Sequence, residues 1–179
     1  MSWFQENYGA AFANPILQSV LIVWGAVIAA KITDVIFTRI FKRIVDKTQT
    51  SLDDQILQLL HRPIFYTILF IGFSVAVKTA GLPEYLDFAL VGIFKTITIL
   101  IWLVIVMKGL VVSMEWASKK TTNPLLQKKT LPLFNNLGKI GIGLFGIYFI
   151  FLSWDINING ILASAGVLGV VLGLAAKDT

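Results

Sequence analysis

The chain returns again and again to apolar runs of about the length that crosses a bilayer, over residues 15–30, 63–77, 86–114, 131–154 and 158–176. A soluble protein of 179 residues buries one core and has nowhere to hide several such runs. Only 14% of the residues are charged and 56% are hydrophobic, with a mean hydropathy of +0.80, whereas soluble domains carry about 25% charged residues. The reading is an all-α membrane protein of about five transmembrane helices.

Several functions drop out on composition. There is no cysteine, hence no disulfide framework and no thiolate metal site. A net charge of +5 raises nucleic acid as a partner, but the basic residues lie in short clusters between apolar runs and form no single face. The N-terminus has neither a basic stretch nor a small-residue cleavage pattern, so the first run is expected to stay as a retained helix and not to be removed as a signal peptide.

Local signals place the elements. Asn14-Pro15 suits a helix start, and beyond residue 30 apolar residues recur at helical spacing among Lys31, Asp34, Arg39, Lys42, Arg43 and Lys47, an amphipathic stretch for the headgroup region. Ser51 to Asp54 reads as the cap of a short amphipathic helix, after which His61, Arg62 and Pro63 open the second span. The third span holds Lys95 and Lys108, 13 residues apart in sequence; about 20 Å of helix between them lets each ammonium snorkel towards an opposite surface. The fourth and fifth spans, joined by the polar turn at residues 155–159, form an antiparallel hairpin with Trp154 at an interface. The first and third connections carry the lysines and arginines, so the N-terminus is expected outside and the C-terminus in the cytoplasm. The chain divides softly near residues 121–124, with three peripheral spans over 1–120 and a core hairpin over 121–179.

Few residues invite chemistry. Gly141, Gly143 and Gly146 match the letters of a dinucleotide fingerprint but lack its strand and acidic residue, so close helix packing is the better reading. His61 is the only histidine and points to neither a metal site nor a catalytic pair. No enzyme, cofactor or metal is expected. In the last span Ala165, Gly169 and Gly173 follow an i, i+4 row that Ala176 continues and Gly166 widens, giving one smooth face. Val167, Val170, Leu174 and Lys177 fall on another. Such a helix either packs tightly within a bundle or lines a pore whose apolar side chains dewet it when narrow.

The stretch Gly173-Leu174-Ala175-Ala176-Lys177-Asp178-Thr179, preceded by Gly166 and Gly169, resembles the pore helix of the small-conductance mechanosensitive channel family. Residues 50–55 are also similar to members of that family, and the likeness is strongest over residues 123–179. The resemblance implies a homo-oligomer, a heptamer, in which pore helices pack glycine against alanine and rings of apolar side chains, here Val170 and Leu174, narrow the pore. It implies opening by membrane tension, with release of ions and small solutes in hypo-osmotic shock, in the inner (plasma) membrane of a bacterium or archaeon. A bend is expected near Lys177 and Asp178, although no glycine stands there, and a cytoplasmic domain is expected after residue 179. Arg39, Lys42, Arg43 and Lys47 are candidate lipid headgroup contacts, besides serving orientation. A small multi-pass transporter using Lys95 or Lys108, and a noncatalytic membrane scaffold, are the alternatives.

Overall fold

The computed structural model describes residues 14–45, 51–120 and 130–177 as five helices, α1 (Pro15–Val45), α2 (Ser51–Thr79), α3 (Glu84–Lys120), α4 (Leu131–Ser153) and α5 (Asn159–Lys177). The described residues contain no strand. Four stretches are long and apolar enough to cross a membrane, Pro15–Ile40, Leu59–Thr79, Glu84–Ser118 and Leu131–Ser153, and α5 adds the shorter apolar stretch Asn159–Ala175. The protein is therefore an all-helical integral membrane protein. The expected division near residues 121–124 lies outside the described residues.

The helix ends follow the local chemistry. Asn14 Oδ1 accepts the Ile16 N–H at 3.0 Å, and Pro15, whose missing amide needs no partner, takes the first helical position. α2 ends where Gly81 adopts φ 67°, a conformation open to glycine. At the start of α3 the Pro83 carbonyl accepts the amides of Leu86 and Asp87 at 2.9 and 3.1 Å, with Glu84 and Asp87 complementing the dipole in the first turn.

One expectation fails here. The short amphipathic helix expected over residues 51–60 is not a separate element, because α2 runs unbroken from Ser51 through Pro63 into the second span. A proline inside a helix removes one backbone hydrogen bond and crowds the preceding turn, but the Pro63 ring is fully buried, so tertiary packing carries the helix through it. The Pro63 carbonyl is itself satisfied by the Thr67 hydroxyl at 2.7 Å.

The helices pack in chain order, α1 on α2, α2 on α3 and α3 on α4. Lipid is as apolar as leucine, so burial alone does not drive these contacts, and close approach of small residues does. At the α1–α2 crossing Ala26 faces Gly72, where an added Cβ would run into the Ala26 methyl, and Ala30 and Ala76 are buried as well. On α4, Gly138 and Gly146 leave room for the side chains of Leu110 and Leu103 of α3. The packing role expected of the α4 glycines thus holds at Gly146. Gly143 makes only an ordinary approach to Met107, and Gly141 meets nothing. Between α2 and α3 the rings of Phe70 and Phe94 stack with centroids 5.7 Å apart.

Gly72→Leu is expected to destabilise the α1–α2 pair by about 1–3 kcal/mol through overpacking, whereas Gly25→Leu, where a Cβ meets open space, should be nearly neutral. Thermal unfolding of the two variants in detergent checks this; equal midpoints would mean that the α1–α2 crossing is not set by Gly72.

Candidate functional site

The turn between α4 and α5 is built before α5 begins. The Asp155 amide bonds the Leu152 carbonyl at 3.2 Å and the Ile156 amide bonds the Phe151 carbonyl at 3.0 Å, with Asp155 at φ 53°. This paired closure caps the last carbonyls of α4 and reverses the chain. Asn157 Oδ1 then accepts the Asn159 amide at 3.0 Å, which starts α5.

Trp154 anchors that turn to α3. Its ring lies over Gly92, where an added Cβ would sit 3.2 Å from the indole, and edge-on to Phe88 with centroids 5.9 Å apart. The indole N–H donates to Thr96 Oγ1 at 2.9 Å, and that hydroxyl donates to the Gly92 carbonyl at 2.8 Å. Residues 88, 92 and 96 form one i, i+4 stripe, so α3 offers the ring a contact, a gap and a hydrogen-bond acceptor in register. Ile158, which follows in the turn, is also buried, at 8% exposure.

Beyond Ile158 the character changes. Every residue of α5 whose side chain is described is exposed. Val170 is 64% and Leu174 62% exposed, and a Cβ on Gly160, Gly166, Gly169 or Gly173 would meet no atom within 4 Å. Among the described residues α5 packs along its length against no other helix. Ala165, Gly166, Gly169 and Gly173 are thus bare on one face, and Val167, Val170 and Leu174 on another. Lys177 ends the helix and is exposed, while Ala176 falls within α5 and Asp178 lies outside the described residues, so the expected bend is not in view. On α1, Arg39 is exposed, Lys42 and Arg43 fall within the helix, and Lys47 lies outside the described residues.

Among the described residues no group of three histidine, cysteine or acidic side chains converges as a metal site would require. His61 does have partners: its Nε2 lies 2.9 Å from Asp34 Oδ1 and 3.1 Å from Thr38 Oγ1, tying α2 to α1. Thr38 donates its proton to the Asp34 carbonyl at 2.8 Å, so the ring nitrogen must be the donor to the hydroxyl.

Comparison with known proteins bears on this arrangement. Residues 136–177, which are most of α4 and all of α5, match the family model described as mechanosensitive ion channel, transmembrane helices 2/3. The small-conductance mechanosensitive channel MscMJ of Methanocaldococcus jannaschii is 30% identical over 177 residues, 97% of this chain and 50% of that protein. The chain belongs to the small-conductance mechanosensitive channel family. An uncharacterized MscS family protein of Aquifex aeolicus is 27% identical over 161 residues, 80% of this chain and 39% of that protein. The chain spans half or less of the length of these channel-family relatives. No solved structure matches it significantly.

The family match therefore falls on the helix left bare and on the helix that carries it. The anchor itself escapes the sequence: Trp154 is legible as an interfacial aromatic, but nothing in the sequence pairs it with Thr96, 58 positions earlier. The available signal is that Thr67 and Thr96 are hydroxyls within apolar spans, which must find a partner of some kind.

Removing both ends of the anchor should show their coupling. Trp154→Phe and Thr96→Val are each expected to cost about 1 kcal/mol, and the double variant less than their sum by about 0.6 kcal/mol. A double-mutant cycle on unfolding in mixed micelles reads this directly, and strict additivity would mean that the hydrogen bond contributes nothing.

Proposed function

We propose that this chain is the transmembrane part of a tension-gated ion channel, which opens under membrane stretch and passes ions and small solutes during hypo-osmotic shock. The observation that carries the proposal is the bareness of α5, whose glycine face and valine–leucine face both lack partners among the described residues. Identical helices arranged about an axis supply both. The row Ala165, Gly169, Gly173 and Ala176, with Gly166, meets the neighbouring α5, and Val170 and Leu174 turn towards the axis. There they form an apolar constriction that ions cross only by shedding water. The number of copies, seven, comes from the family resemblance.

Tension favours the conformation that occupies more membrane area, so an element that moves outward and an element that follows are both required. Residues 1–120 serve as the peripheral, tension-bearing part and 121–179 as the core hairpin. Trp154 and Ile158 couple the two at the outer turn, so a tilt of α3 displaces the start of α5 with it. Basic residues in the first and third connections set the N-terminus outside and the C-terminus in the cytoplasm. Arg39, Lys42, Arg43 and Lys47 then meet the inner leaflet of the plasma membrane of a bacterium or archaeon. A transporter reading finds less support, since Lys95 and Lys108 form no ion pair with a described residue.

Patch recording under suction, on liposomes holding the chain and on liposomes holding it with its natural continuation after residue 179, tests the proposal. Stepwise currents that rise with tension are expected in at least one form, and silence in both would refute it. Leu174→Ser should open at lower suction than the wild type, because a hydroxyl ring wets the constriction; an unchanged threshold would remove Leu174 from the gate.

Gly169→Leu should abolish the currents while leaving the stability of the single chain within about 0.5 kcal/mol, since its Cβ meets nothing within one copy. Normal conductance in that variant would exclude helix contact at Gly169.

A further inference from the structure

A groove of about 830 Å³ opens between α2 and α3. Tyr66, Ile97, Ile101 and Ile105 line its body, and Arg62 and Lys108 stand towards one end, with Leu59 and Val112 beyond them. The two cations are level with each other because α2 and α3 run antiparallel, a register fixed by the Trp102 indole N–H, which donates to Thr67 Oγ1 at 2.9 Å. Both cations are exposed, and neither takes part in an ion pair or a hydrogen bond with another described residue. Among the described residues no acidic side chain lines the groove. Glu115, on the same side of α3, lies about 10 Å further along the helix at 1.5 Å per residue.

We infer that this groove binds one anionic diacyl phospholipid, with its phosphate between Arg62 and Lys108 and an acyl chain along Ile97, Ile101 and Ile105. Length and charge both fit that occupant. From Lys108 to Ile97 is about 16 Å of helix, close to the roughly 15 Å of hydrocarbon in one leaflet. A carboxylate partner within the protein would have satisfied the cations and closed the site to lipid, and none is described. Arginine offers a fork to phosphate oxygens and lysine a point charge, so together they hold a headgroup without fixing its identity. The inference rests on membrane residence and the α2–α3 packing alone, so it stands or falls apart from the channel reading.

Native mass spectrometry of the purified full chain, in micelles titrated with phosphatidylglycerol or phosphatidylcholine, tests it. One phosphatidylglycerol per chain should persist, preferred over phosphatidylcholine by about thirty-fold at about five-fold per cation. In Arg62→Gln with Lys108→Gln the preference should fall to near unity. Ile101→Trp, which fills the slot and keeps both charges, should also lose the bound lipid. Helical content by circular dichroism confirms that both variants remain folded. Equal retention of the two lipids by the wild type would overturn the inference with no variant needed. So would displacement of the lipid by millimolar glycerol 3-phosphate, which would make the pair a site for a free anion, or retention undiminished in either variant.

Discussion

A threonine hydroxyl that serves two helices at once holds each junction of this bundle. Thr38, Thr67 and Thr96 each donate a proton to the carbonyl four residues back, at 2.8, 2.7 and 2.8 Å, which leaves the oxygen free to accept. Into that oxygen comes a ring N–H from the next segment, from His61, Trp102 and Trp154 respectively. In lipid there is no water to take up a stray ring N–H, so each ring must find its threonine or leave a polar group unsatisfied. Such bonds contribute only about 0.6 kcal/mol on average. Their weight is geometric: with α1 joined to α2, α2 to α3, and the end of α4 to α3, the angular freedom of four helices is removed.

The same device explains why α5 differs. Its start is held through Trp154 and Ile158, but no described residue along it offers a ring or hydroxyl to another helix, and Ser164 spends its proton on the Gly160 carbonyl at 2.6 Å. The bundle is therefore one braced unit with one unbraced helix hinged to it. A helix that is apolar and exposed on both of its described faces satisfies its backbone internally, yet leaves two dissimilar faces for whatever stands beside it. Lipid has no use for the distinction between a smooth face and a ridged one, whereas further copies of the same helix do.

Polarity also runs lengthwise. The end of the bundle near the α4–α5 turn is aromatic, with Tyr85, Phe88 and Trp154, and the opposite end is basic, with Arg39, Arg62, Lys108 and Lys139. His61 Nε2 and Asp34 Oδ1 meet at that basic end as well, 2.9 Å apart, where α1 and α2 approach.

The apolar runs alone determined that the chain lives in a membrane as a set of helices, and the motif ending in residues 173–177 carried the family. Both follow from local chemistry, because run length is fixed by bilayer thickness and the helix-compatible pattern repeats every few residues. The cap at Asn14, the turn after Ser153 and the glycine packing at Gly146 were legible for the same reason, whereas the close antiparallel pairing expected of the last two helices is not found among the described residues, since α5 does not pack along α4. The continuity of α2 through Pro63 was not, because a proline signals a break locally and only burial of its ring overrides that signal. Nor was any threonine–ring pair legible, nor the meeting of Arg62 with Lys108, 46 positions apart in sequence. Those depend on the rotation and register of one helix against another, which every residue at an interface sets jointly and no single stretch of sequence records.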